Sequence, residues 1–181
     1  MWPFKKDQKA AIPDIRVLGD LLFPEHKGQF EKFCLLYSTN RIGFAEKYEE
    51  HLDGFGKDLS ELELVYVFGA DADLLLLIDW RGEENAEEIE HFIETSLGRT
   101  VTWENTKSLR STAPEEAQRD GKFILALFLT MDKDLAAIGY KLLFFNFPWD
   151  AYVFLPIEKS RFNEVIEAAP EIFHGSRGSV R

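Results

Sequence analysis

Residues 140–157 read YKLLFFNF-PWD-AYVFLPI, two apolar and aromatic runs around Pro148-Trp149-Asp150. An interruption this short joins the runs as an antiparallel pair. The pattern KSRFNEVIEAA follows directly and sets Phe162, Val165, Ile166 and Ala169 on one helical face, which predicts a helix over 159–169 ended by Pro170. A β-hairpin feeding a helix is the frame on which the other segments must pack.

Towards the N-terminus, KFILALFLTMDKDLAAIG is helical in length and composition and stops at Gly139. Residues 99–121 are polar around Trp103; they predict a strand fragment or loop near Thr100–Trp103, then a helix starting at Ala113-Pro114-Glu115. Segment 84–97 is an amphipathic helix with Ile89, Phe92, Ile93 and Leu97 inward and acids gathered at its start, where they suit the helix dipole. Leu74 to Trp80, LLLLIDW, has the continuous apolar run of a strand buried on both faces. Residues 58–70 fit an alternating strand and also a helix broken at Gly69; the helix is preferred. A helical pattern over 29–52 has a break at Asn40 and Gly43, and a short helix capped by Asp14 holds Ile15, Leu18 and Leu22. Together these predict an α+β fold. Its small mixed or antiparallel sheet comes from about 74–80, 140–147 and 151–157, with helices 84–97 and 159–169 packed on it and an N-terminal helical layer.

The 181 residues are expected to form one domain over 1–181, with 1–12 and 174–181 as flexible tails. The 16 Phe, 4 Trp and 5 Tyr predict an aromatic core. Cys34 is the single cysteine, so no intramolecular disulfide forms and a cytoplasmic location is expected; it sits in the apolar run FEKFCLLY as a small hydrophobe. No apolar stretch has the roughly 20 residues of a transmembrane span, and MWPFKKDQKA lacks a signal peptide's apolar run. Trp2, Phe4, Lys5 and Lys6 offer a weak peripheral membrane contact at most. Of the net charge of −11, residues 46–94 hold 16 Asp/Glu against 3 Lys/Arg, a local −13 that leaves the rest at +2. That distribution argues against nucleic-acid binding, which depends on neutralising phosphates, and suits a basic protein partner or a solvated surface.

No constellation in the sequence specifies catalysis. Asp71, Asp73, Asp79, Glu83 and Glu84 lie around one strand, but its two ends are too far apart for a shared ion, so neither a metal nor another cofactor is assigned. The four histidines lack ligand spacing, and no nucleophile elbow is present. Asp79, after five apolar residues, reads first as a turn or cap residue. The sharper alternative makes Asp79, Trp80, Trp149, Asp150 and Tyr152 the walls of an aromatic pocket for a cationic or sugar-like ligand, or for hydrolase-like chemistry with two acids.

Leu77-Ile78-Asp79-Trp80 before an acidic helix, and Gly139-Tyr140 leading to Trp149-Asp150-Ala151-Tyr152-Val153-Phe154-Leu155, resemble an uncharacterised bacterial family, family 6630 of the domains of unknown function. The resemblance covers roughly residues 60–169. It implies a bacterial origin and brings no catalytic residues. The expected function is a non-catalytic, cytoplasmic protein-interaction domain, immunity-like in composition. Its partner-binding face is expected at Glu83, Glu84, Glu87, Glu88, Glu90 and Glu94.

Overall fold

A computed structural model describes residues 14–83, 85–114 and 120–176. Helices α1 (Ile15–Leu22), α2 (Lys27–Thr39), α3 (Arg41–Lys47) and α4 (Glu61–Asp71) precede strand β1 (Leu76–Asp79). Then come α5 (Glu88–Leu97), α6 (Glu104–Thr112), α7 (Gly121–Ala137), the hairpin β2 (Tyr140–Phe145) and β3 (Ala151–Glu158), α8 (Lys159–Ala168) and β4 (Phe173–Gly175). The four strands form one sheet in the order β1-β3-β2-β4, every pair antiparallel.

The hairpin is where the sequence placed it, with Leu143 opposite Leu155 and Phe144 opposite Phe154. Because successive side chains on a strand point to opposite faces, its apolar runs supply two cores at once. Phe144 and Phe154 join Phe128 and Leu127 of α7 and Ile89 and Ile93 of α5 on one face. Phe145, Val153 and Leu155 meet the α1, α2, α4 and α8 helices on the other. The α+β fold is thus a sheet with helices on both faces.

Local chemistry explains the helix boundaries. The Asp14 carboxylate accepts the Arg16 N–H at the start of α1. Asn40 separates α2 from α3 and caps the second, its side-chain oxygen accepting from Gly43 N–H at 3.0 Å. The helix preferred within 58–70 is α4; it starts at Glu61 and runs through Gly69, its expected break, to Asp71. Ser60 and Glu63 close a capping box at its start.

Several expectations are corrected. LLLLIDW is not a central strand: Leu74 and Leu75 donate their N–H groups to the Gly69 carbonyl at the end of α4, and only Leu76–Asp79 form a strand, at the edge of the sheet. Leu77 is accordingly 42% exposed. The strands buried on both faces are β2 and β3. The acidic helix starts at Glu88, because Glu87 takes a left-handed φ of 65°. In the polar stretch a helix occupies Glu104–Thr112, ahead of the expected start; Pro114 follows its end and residues 115–119 lie outside the described residues. The expected C-terminal tail begins inside β4, and Ser176 is buried with its hydroxyl donating to Asp132.

Candidate functional site

A cleft lies where the hairpin turn meets the C-terminal end of β1. It encloses about 310 Å³ and is lined by Trp80, Trp149, Asp150, Tyr152, Phe144 and His174 among others. The sheet register creates it. Asp79 pairs with Ala151, and the Trp80 N–H donates to the Asp150 carbonyl at 3.2 Å, so two Trp-Asp pairs distant in sequence end side by side. The first turn of α7 closes in from beside them. A Cβ on Gly121 would lie 3.0 Å from the Trp80 carbonyl oxygen and 3.1 Å from its indole, tighter than ordinary contact, so a side chain there would press on Trp80.

Each wall has a distinct role. Trp149 is a packed wall, its ring stacked on Phe147 at 4.1 Å and edge-on to Tyr66 at 5.1 Å. Tyr152 packs edge-on against Phe128 at 5.2 Å, and His174 stacks flat on Phe144 at 5.6 Å. Trp80 differs, being 46% exposed, and the Arg81 guanidinium lies 5.4 Å from its ring. That distance is within cation–π range. Asp150 is exposed at the cleft.

Of the five predicted pocket residues, Trp80, Trp149, Asp150 and Tyr152 line the cleft, and Asp79 does not. The Asp79 carboxylate accepts the Arg81 N–H at 2.8 Å, and its carbonyl accepts the Gly82 N–H at 2.9 Å. It is the backbone-bonded turn residue of the simpler reading. His174 escaped the sequence reading because it belongs to a strand read as tail.

The acidic segment is largely engaged within the molecule. Glu83 and Glu90, with side chains only 7% and 9% exposed, both pair with Arg110 of α6 at 2.7 Å. Burial pushes the Glu83 carboxyl up, against the opposing pull of the Ile89 N–H and Arg110. Burial also works against the Arg110 charge, but the two carboxylates, Glu90 foremost, outweigh it and hold its pKa above the ordinary value. Glu94 accepts from the Val101 N–H and the Trp103 indole N–H, both at 3.0 Å. Glu87 is exposed and Glu88 half-buried, while Glu84 lies outside the described residues, as do Trp2, Phe4, Lys5 and Lys6.

Arg110 had no signal in a polar stretch read as loop, and neither did Asp134, which is 4% exposed. One Asp134 oxygen accepts from the Asn105 N–H and side-chain amide, the other from the Thr106 N–H and hydroxyl. A carboxylate from α7 thereby caps α6. Elsewhere a groove of about 630 Å³ between α1, α2 and α4 contains Cys34, whose thiol burial pushes up to about 11, far from a reactive thiolate. Among the described residues no three His, Cys, Asp or Glu side chains are placed to hold a metal ion, and no helix is long and apolar enough to cross a membrane.

In comparisons with known proteins, the model of a family described as a domain of unknown function, DUF6630, matches residues 16–178. No curated protein and no solved structure matches the chain.

Proposed function

Because the chain belongs to the DUF6630 family, whose description assigns no activity, we propose a function from the site itself: a non-catalytic interaction domain that recognises a basic protein partner through the Trp80–Asp150 cleft. The observation that carries this reading is Trp80, 46% exposed, lining one recess of packed rings together with the exposed Asp150. Exposed aromatic surface next to an acid suits a lysine or arginine side chain, which gains the ring's quadrupole and a counter-charge together. Arg81 on the same indole already presents a guanidinium in this way. The local charge of −13 over 46–94 would speed the approach of a basic partner, with contact concentrated at the aromatic anchor. The face first expected along Glu83–Glu94 fits less well, since Glu83, Glu90 and Glu94 are committed to Arg110, Val101 and Trp103.

A second reading, a small cationic or sugar-like ligand in the same cleft, draws on its volume of about 310 Å³, near the lower bound for small-molecule sites. A two-carboxylate hydrolytic reading lacks support, because the Asp79 carboxylate serves the turn.

The test is an NMR titration with a blocked Gly-Arg-Gly peptide and its citrulline analogue, which keeps the shape and removes the charge. The Trp80 indole N–H signal is expected to move with arginine only, with a Kd no tighter than tens of millimolar, given about 0.5–2 kcal/mol for one cation–π contact. Trp80→Ala abolishes the response, and Asp150→Asn weakens it several-fold. Shifts spread over the acids of 46–94 and indifferent to both variants would count against the cleft.

A further inference from the structure

We propose that β1 is an open docking edge: an extended basic segment of the partner adds to it as a fifth strand and delivers a cationic side chain to Trp80. This rests on the cleft reading above and adds the mode of binding. The bonding pattern comes first. Residues opposite one another in an antiparallel pair alternate between hydrogen-bonded and non-bonded. The Trp80 N–H to Asp150 carbonyl bond, with Ile78 opposite Tyr152 and Leu76 opposite Phe154, makes these the bonded pairs. Leu77 and the Asp79 N–H therefore point away from β3, towards the side where the sheet ends. Among the described residues no helix or loop hydrogen bond reaches Leu77, whose side chain is 42% exposed. No proline, lysine or bulge guards Leu76-Leu77-Ile78-Asp79; the edge is short, four residues, and the Gly82 N–H occupies the Asp79 carbonyl, so the groups it offers are the Leu77 N–H and carbonyl and the Asp79 N–H.

Charge complementarity selects the occupant. The edge is flanked by Asp71, Asp73 and Asp79, within the segment carrying −13, so an acidic or neutral strand has less reason to approach than a basic one. The faces refine this. Trp80, Asp150 and Tyr152 share one face of the sheet, and Leu77 and Val153 share the other. In a strand added beside β1, alternate residues point to the same two faces. A segment alternating basic with apolar residues therefore places its cations beside the Trp80 indole and its apolar side chains beside Leu77.

The probe is a blocked eight-residue peptide of alternating Val and Arg. Its partner is the same peptide with alternate backbone nitrogens methylated, which keeps side chains and charge and removes the pairing donors. The full chain is compared with Leu77→Pro, which deletes an N–H outside the β1–β3 ladder, a place where an edge strand tolerates proline. The unmethylated peptide is expected to bind and to slow hydrogen exchange at the Leu77 and Asp79 amides. N-methylation of the peptide, and Leu77→Pro in the protein, should each weaken binding at least tenfold. Two outcomes overturn strand addition: no binding of the unmethylated peptide, or methylated-peptide binding within twofold of it. In the second case, loss of binding in Trp80→Ala leaves the cleft reading standing, whereas indifference to Trp80→Ala removes both. Should Leu77→Pro fail to fold, the peptide pair on the unaltered protein decides alone.

Discussion

Asp134 is a single side chain that starts a helix 28 residues away: both its oxygens accept from the first turn of α6, with Thr106 Oγ1 at 2.7 Å. Burial would raise the carboxyl, but the Asn105 and Thr106 donors hold it below its ordinary value. A depressed carboxylate adds stability that is present above the unfolded pKa of about 3.9 and is lost as pH falls through the folded value. Asp134→Asn, which sets an amide against donors, should cost about 2–4 kcal/mol at neutral pH. It should also flatten the loss of stability below about pH 4; urea melts of both proteins from pH 7 to 3 would show it. Trp80 offers a second residue-scale prediction. If Arg81 competes for the indole, Arg81→Ala should tighten the arginine-peptide response about three- to fivefold, the worth of one exposed cation–π contact; an unchanged titration would place Arg81 outside the binding face. The turn role of Asp79 was legible, because a carboxylate directly after an apolar run needs a nearby partner. Asp134 was not, because its partners lie across two helices and no local pattern marks them.

At the scale of elements, α5 and α6 are joined by a buried triad in which one guanidinium serves two carboxylates, Glu83 and Glu90. Removing the cation strands both acids, so Arg110→Ala should destabilise by about 3–5 kcal/mol. Charge reversal separates structural acids from surface ones: Glu90→Lys is expected to lower the melting temperature by several degrees, and Glu87→Lys to leave it nearly unchanged, by thermal denaturation. Equal effects would contradict the division. Sequence periodicity found α5 because Ile89 and Ile93 repeat at helical spacing, yet it could not tell which acids turn inward to an arginine in another helix. For α4 the local signal was present in Ser60-Glu61-Leu62-Glu63, whose capping box decides the ambiguity of 58–70 in favour of helix. LLLLIDW misled for a physical reason. Four consecutive leucines carry no information about whether a backbone N–H goes to a sheet neighbour or, as with Leu74 and Leu75, to the carbonyl closing the preceding helix.

Across the whole molecule, the two cores share one hairpin, with Phe144 and Phe154 facing α5–α7 and Phe145 and Val153 facing α1, α2, α4 and α8. Neither layer can leave without exposing one apolar face of the strands that hold the other. Two-sided burial of this kind makes the layers one cooperative unit, although helix-on-sheet layers with separate cores can in general unfold in steps. The Trp residues provide reporters: Trp103 is buried in the α5–α7 layer, and Trp149 packs among Tyr66, Phe55 and Phe147 on the opposite side. In protein carrying 5-fluorotryptophan, the Trp103 and Trp149 fluorine signals should therefore disappear at the same urea concentration. Phe128 contacts Phe144, Tyr152 and Phe154 at 4.9–5.2 Å, and Phe68 contacts Phe23, Phe30 and Phe33 at 4.9–5.4 Å. Each should cost about 3–5 kcal/mol when cut to alanine. If the hairpin couples the layers, Phe128→Ala and Phe68→Ala lower both fluorine transitions together, whichever side the cavity is on. A Trp103 signal lost first in Phe128→Ala, with Trp149 still native, would instead mean that α5–α7 detaches alone. The hairpin with α1, α2, α4 and α8 would then be the unit that persists.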